Sequence, residues 1–390
     1  MPPAIERTAP AEARPPVAAR IPHAVVSPQG TRTDEYYWLR DDARRSAPVL
    51  EYLGQENAYA DAVLAPLAGL EQQLFDELTG RLAPDDTSVP VLDRGYWYYR
   101  RYEPGREYPV HARRLGSMQA PEQVLLDGNA MAEGHDYFHL GDAAVSPDGA
   151  RIAYTQDAVG RRQYEMRIKD IATGAVLSDR VANIEAEILW AGDGKTILYI
   201  EKDPVTLLSV RVRAHVLGTD AADDRLLYEE QDHSYYLGLA KSRSEQMLFI
   251  TCSSTEQTEW RYAPAGDAAL HFVPVLPRED GHEYDVEHLG GDFIIRTNRD
   301  ARNFRIVRAP IETCGDCARW QDVIAHRDEV FIERFEVGEG YLAVNERADG
   351  LLKIRVRAWG AGADDRLIDA AEPAYAMHLV HTPGIDSPLL

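Results

Sequence analysis

Val145-Ser146-Pro147-Asp148-Gly149-Ala150-Arg151-Ile152-Ala153-Tyr154 reads as the end of one strand, a tight turn and the start of a second strand. Proline presets the first turn residue, aspartate bonds its own backbone, and glycine accepts a positive φ. Leu189-Trp190-Ala191-Gly192-Asp193-Gly194-Lys195-Thr196-Ile197-Leu198-Tyr199 repeats the pattern, and weaker copies follow at 239–249, 289–295 and 337–344. Successive copies lie roughly 45–50 residues apart, the period of four-stranded propeller blades. Each copy is followed by a third strand and an outer strand: 166–170 with 176–177, 207–216 with 226–228, 305–309 with 323–324, and 352–356 with 367–368. A hairpin of 89–91 with 96–102 opens the series. The pattern predicts a mainly β protein, a propeller with about six blade-sized units and a partial seventh beginning near Tyr375.

Working outward, the first 80 residues differ. Residues 1–30, rich in Ala and Pro, predict a flexible arm. Residues 31–80 predict a short helical segment. Ser46 can cap a helix with Pro48 in its first turn. Val49, Leu50, Leu53, Asn57, Ala60, Leu64 and Leu67 fall at three- and four-residue spacing, one stripe of that helix. Pro66 sits near the start of a second helix carrying Leu67, Leu70, Leu74 and Leu78, which Gly80 stops. Both apolar stripes need a partner. Residues 81–390 form the propeller, incomplete at the C-terminal end.

The 390 residues carry 42 Lys plus Arg against 64 Asp plus Glu, a net charge of −22. Such a surface repels phosphate backbones and anionic lipid headgroups, which argues against nucleic-acid or membrane partners. Twenty Tyr against 8 Phe suits half-buried strands with a wet rim. No apolar run resembles a signal peptide or approaches ~18 residues, so a cytoplasmic protein without a membrane span is expected.

Three cysteines, Cys252, Cys314 and Cys317, are too few for a disulfide framework. Cys314-Gly315-Asp316-Cys317 lacks two further zinc ligands and lies in a loop rather than at a helix start, so it reads as incidental loop thiols. His135 with His139, and His378 with His381, lack a third ligand at a usable spacing. Ser146-Pro147-Asp148-Gly149 lacks the spaced oxygens of a calcium loop and reads as a turn. No metal, cofactor or catalytic residue is assigned.

Several stretches resemble the prolyl oligopeptidase family of serine peptidases. The likeness begins with Tyr36-Tyr37-Trp38-Leu39-Arg40-Asp41-Asp42 and Glu56-Asn57-Ala58-Tyr59. Others are similar to its oligopeptidase B branch: Gly95-Tyr96-Trp97-Tyr98-Tyr99, Leu126-Asp127-Gly128-Asn129, Tyr228-Glu229-Glu230 with Asp232, Pro277-Arg278, Thr297-Asn298 with Asn303, and Ile324-Ala325-His326-Arg327. Glu346-Arg347 with Gly350-Leu351, and Glu372-Pro373-Ala374-Tyr375, continue the series. Order and spacing carry the resemblance rather than any one motif. It implies a seven-bladed propeller that limits access of peptides to an α/β-hydrolase domain, with cleavage after Arg or Lys. That domain would carry Ser, Asp and His in chain order, with the nucleophile on a G-x-S-x-G elbow.

None of the 28 glycines has a serine two positions later, and no alternating β/α region follows the strands. The sequence is therefore expected to be the gating and steering portion of an oligopeptidase B-like peptidase, inactive by itself because the hydrolase domain is absent. Its expected partners are that domain and short basic peptides. Glu229, Glu230 and Asp232 form an acidic cluster that could steer such peptides, although solvated loop or blade-edge pairing explains it more simply. The alternative is a stand-alone propeller serving as an interaction scaffold. A propeller glycosidase would need two placed carboxylates that the sequence does not single out.

Overall fold

The computed structural model describes residues 14–83, 85–360, 364–368, 370–380 and 384–387. It divides into two compact units with the boundary between residues 84 and 85.

In the first unit, β1 (His23–Ser27) pairs antiparallel with β2 (Gly30–Asp34), so the expected arm gives way to a hairpin before residue 30. The Trp38 indole donates to the Ala19 carbonyl (2.7 Å) and Ile21 N–H to the Glu35 carbonyl (2.8 Å), which ties residues 19–21 down. Helix α1 (Ala47–Leu64) and helix α2 (Ala68–Thr79) lie where the apolar spacing places them. Ser46 occupies the cap position of α1, but its hydroxyl makes no capping bond. The Asp41 carboxylate accepts from the N–H groups of Arg45 and Ser46, both at 2.6 Å. Those backbone donors hold its pKa below the usual range. Gly80 ends α2 at φ −66, so the stop uses no left-handed residue. Leu50, Leu53, Leu67, Leu70, Leu74 and Leu78 are all exposed.

The second unit is built from four-stranded antiparallel blades. Blade 1 is β3 (Val91–Asp93), β4 (Tyr96–Arg101), β5 (Val110–Leu115) and β6 (Glu122–Asp127), followed by the short helix α3 (Gly128–Ala132). Blades 2 and 3 share one seven-stranded sheet. It runs through β7 (His139–Val145), β8 (Arg151–Asp157), β9 (Tyr164–Asp170), β10 (Val176–Trp190), β11 (Thr196–Lys202), β12 (Ser209–Val216) and β13 (Arg225–Glu229). Blade 4 is β14 (Tyr236–Lys241), β15 (Met247–Ser253), β16 (Thr258–Pro264) and β17 (Val273–Pro274). Blade 5 is β18 (Tyr284–Leu289), β19 (Asp292–Thr297), β20 (Arg305–Pro310) and β21 (Gln321–Ile324). Blade 6 is β22 (Phe331–Val337), β23 (Tyr341–Ala348), β24 (Leu351–Ala358) and β25 (Asp365–Ile368). Six blades are thus present among the described residues. Near Tyr375 the described residues contain one isolated bridge, Ala376 to Leu352, rather than a strand.

The 15-residue strand β10 is one difference from the sequence reading, which separates 176–177 from 189–199. Its first half is the outer strand of blade 2 and its second half the inner strand of blade 3. Asn183 at φ 60 makes the kink, a conformation asparagine tolerates better than most residues. Its amide donates to the Lys202 carbonyl at 2.6 Å.

Blades 2 to 5 bury both faces against their neighbours, so their second strands read as near-continuous apolar runs rather than alternating ones. Thr196-Ile197-Leu198-Tyr199-Ile200 is buried at every position. Met166, Ile168, Trp190 and Ile197 form the core between blades 2 and 3. Phe249, Val286, Phe293 and Val307 do the same between blades 4 and 5. Removing that apolar surface from water, at roughly 25 cal/mol per Å², is what holds one blade to the next. Between blades 2 and 3 a buried polar chain adds direction. The Tyr199 hydroxyl donates to Asp224 (2.8 Å), and the His215 ring nitrogens contact Asp224 (2.8 Å) and Asp179 (3.2 Å).

Candidate functional site in the propeller interior

The innermost strand of a propeller blade leaves one backbone edge facing the central channel. In this chain, carboxylates on the innermost strands satisfy part of that edge. Asp142 of β7 accepts from Ile188 N–H in blade 3 at 3.3 Å, and Glu187 of β10 accepts from Leu239 N–H in blade 4 at 2.9 Å. Glu287 of β18 accepts from its neighbour His288 N–H at 2.7 Å and from Arg243 N–H at the end of β14 at 3.1 Å. Glu185 is neutralised by Lys202 at 3.0 Å.

Asp142, Glu187 and Glu287 are costly to charge. Burial pushes the pKa of Asp142 and of Glu187 up, against the backbone donors that lower it. Burial pushes Glu287 up to about 7, opposed by the His288 and Arg243 N–H groups and by the Arg243 charge. A carboxyl whose folded pKa is raised binds its proton more tightly when folded. Its stabilising contribution is therefore full below the unfolded value of 4.5 and is lost as pH rises through about 7. Glu287→Gln removes that titration, so the variant is expected to gain on the wild type by about 1–3 kcal/mol as pH rises from 4 to 8. Urea midpoints of both proteins across that range measure it; parallel curves would refute it.

Arg243 is the cation of this interior. Its side chain is almost fully buried, and it spans from blade 4 to blade 6. Nε lies 3.3 Å from Glu336, while Nη1 donates to the Val337 carbonyl (2.6 Å) and Nη2 to the Gly384 carbonyl (3.1 Å). Nothing local in the sequence marks this residue.

The acidic cluster does not act as a unit. Glu229 pairs with Arg211 across β12 and β13 at 2.7 Å. Glu230 is buried and ion-paired with Arg278, whose guanidinium also lies 3.4 Å from Glu259 and 3.8 Å over the Tyr235 ring. Burial alone would raise the Glu230 pKa. Arg278, the Asp232 N–H and the Tyr228 hydroxyl together hold it below the usual range. Asp232 accepts from Ser234 in a local turn. Blade-edge pairing describes Glu229, and internal pairing rather than solvation describes Glu230.

The other singled-out residues are placed as follows. Cys314 is buried, its thiol 3.7 Å from the Val275 carbonyl and its pKa raised by burial; Cys317 is half-buried. His139 contacts the Tyr164 hydroxyl at 3.1 Å, and His135 lies beside the Phe138 ring. His378 is exposed, and His381 lies outside the described residues. Among the described residues, no three His, Cys, Asp or Glu side chains are grouped as ligands of a metal would be. Asp148 accepts from the Ser146 hydroxyl (2.5 Å) and from Ala150 N–H (3.0 Å), with Gly149 at φ 70, so this motif is a turn. No described helix is long and apolar enough to cross a membrane.

Comparison with known proteins agrees with this architecture. Residues 16–384 match the family described as prolyl oligopeptidase, N-terminal beta-propeller domain. The chain is 47% identical to dipeptidyl aminopeptidase BI of Pseudoxanthomonas mexicana, over 96% of this chain and 53% of that protein. It is 31% identical to protease 2 of Moraxella lacunata, over 95% and 54%. Among solved structures, oligopeptidase B of Leishmania major superposes with a TM-score of 0.88 at 29% identity, covering 94% of this chain and 55% of the other. The chain spans about half the length of the curated relatives it matches. It belongs to the prolyl oligopeptidase family of serine peptidases, through that family's N-terminal β-propeller domain.

Proposed function

We propose that this chain is the gating and steering portion of an oligopeptidase B-like serine peptidase acting on short cationic peptides. The observation that carries the reading is the family match over residues 16–384, in a sequence half as long as its peptidase relatives and without a G-x-S-x-G elbow. The net charge of −22 supports selection of cations, because a negative potential concentrates them at a low-dielectric opening. Peptides with Arg or Lys fit that field. So does the free amino end of a peptide, which the name of the aminopeptidase relative brings forward as a second substrate class.

The exposed leucines of α1 and α2 support a role for these helices in covering an α/β-hydrolase domain. Isolated apolar side chains on a surface are ordinary, but a leucine stripe along two successive helices is a face that needs burial.

The chain alone is expected to show no turnover of Arg-, Lys- or dipeptide-reporter substrates. Supplying the C-terminal half of the aminopeptidase relative in trans is expected to restore it, and Leu74→Asp with Leu78→Asp to weaken that restoration by about tenfold or more. Capture of cationic peptides should slow as salt is raised. Turnover by the chain alone, blocked by a serine-directed reagent, would overturn the reading.

A further inference from the structure

Residues 242–246, between β14 and β15, form the same turn as residues 146–150 in blade 2 and 191–195 in blade 3. The first residue's N–H bonds across to the returning strand: Ser146 to Arg151, Ala191 to Thr196, and Ser242 to Met247, each at 2.9 Å. The fourth residue's N–H closes the turn on the first residue's carbonyl in all three. That fourth position needs a left-handed backbone. Blades 2 and 3 place glycine there, Gly149 at φ 70 and Gly194 at φ 63, whereas blade 4 places Glu245 at φ 58. A side chain with a Cβ is strained in that region where glycine is not.

The Glu245 side chain has a partner. Its carboxylate is ion-paired with Arg94, in the β3–β4 turn of blade 1. Arg94 is itself in the left-handed region, at φ 45, ahead of Gly95. Both members of the pair therefore occupy strained positions. Blades 1 and 4 are not neighbours in the ring, since blades 2 and 3 separate them. A direct bond between their inner turns must pass over the channel axis. The Lys241 amine and Asp93 carboxylate lie close enough to this pair to feel its charge, so four charged groups meet there. On its other side the same turn is anchored by Arg243 to blade 6 and to Gly384.

We propose that residues 242–246 are a plug across one mouth of the propeller channel, fixed at Arg243 and latched by Arg94–Glu245, which restricts the admission of peptides at that end. The two attachments differ in strength for a physical reason. Arg243 is buried, whereas Arg94 and Glu245 are about a third to a half exposed, and a half-exposed ion pair opens readily. The latch is the releasable side. The proposal rests on the reading of the channel as a peptide filter.

The test compares the full chain with Arg94→Glu, Glu245→Arg and the double exchange. It measures hydrogen exchange of residues 242–246 and stopped-flow capture of a fluorescent oligo-arginine peptide. A latch predicts that both single reversals lose protection, by roughly tenfold, and both capture the peptide faster, by roughly fivefold. The double exchange is expected to restore both. A field effect alone predicts opposite directions: faster capture for Arg94→Glu, slower for Glu245→Arg, with unchanged protection. That result would overturn the latch. Lost protection with unchanged capture would overturn the plug's control of admission while leaving the filter reading intact. Absence of capture by every variant, wild type included, would refute the filter reading and the proposal with it, whatever the exchange data show about the latch.

Discussion

Arg243→Ala is expected to destabilise the propeller by about 3–5 kcal/mol, because it breaks a buried ion pair and removes the hydrogen bonds made by the same guanidinium. The loss goes beyond one pair. Glu336 loses the Arg243 charge, the carbonyls of Val337 and Gly384 each lose a donor, and Glu287 loses a neighbouring positive charge. These groups lie on blades 5 and 6 and on the segment after them, so Arg243, which follows β14 of blade 4, joins elements that share no sheet. Arg243→Met keeps most of the volume and separates packing from charge. It should recover little, since a thioether restores neither the charge nor the donors that Arg243 supplies. Combining Arg243→Ala with Glu336→Gln should recover about 1–2 kcal/mol by removing the mostly buried negative charge that Arg243 had faced. Urea unfolding at constant m would read these differences, and a loss below about 1 kcal/mol would show that the buried pair contributes little.

The second large effect is expected at Arg278. Arg278→Ala strands the Glu230 carboxylate, whose side chain is nearly inaccessible, leaves the buried Glu259 with Arg261 (2.7 Å) alone, and removes the cation from the Tyr235 ring. A cost of about 3–5 kcal/mol follows for the same reason as at Arg243. The pH dependence distinguishes this from a packing loss. In the wild type the Glu230 pKa is depressed, so its stabilising contribution is present above the unfolded value of 4.5 and is lost as pH falls through the depressed folded value. In the variant the carboxyl is buried without a cation and is driven to protonate. The gap between the two proteins should therefore narrow as pH falls below about 5. Arg278→Lys should fall between them, because an ammonium keeps the charge but not the planar fork that contacts Glu230 and Glu259 together. A gap independent of pH would point to packing instead.

Both arginines mark the difference between what is local and what is not. The turn at Ser146-Pro147-Asp148-Gly149 was legible because every bond that defines it closes within a few residues. The blade period was legible for the same reason. The helices α1 and α2 were legible from apolar spacing, although the cap came from Asp41 rather than Ser46, and Gly80 ended α2 without a left-handed turn. The long strand β10 was not, because its kink at Asn183 depends on hydrogen bonds with Gln163, just before β9, and with Lys202 of β11.

The acids were the least legible part. Glu229 and Glu230 are adjacent in sequence, but successive strand residues point to opposite faces. One pairs at the blade edge and the other enters the core. Asp142, Glu187 and Glu287 lie far apart in sequence, yet they occupy corresponding innermost strands and serve the same kind of edge. The same distance hides the latch: Arg94 and Glu245 are 151 residues apart, and Arg243 reaches a carbonyl 94 residues away. Only the fourth turn position hinted at it, where glutamate stands in place of glycine.

The sequence by itself determined the elements of this protein: blade turns, strand period, two helices with an apolar stripe, and the family to which they belong. Those follow from backbone preferences and periodicity, which act over a few residues. The tertiary structure decided which of 64 acidic residues are buried, which arginine each one meets, and which turn reaches over the axis. Charge pairing depends on distance in space and on the dielectric around the pair, and neither is set until the blades close on one another.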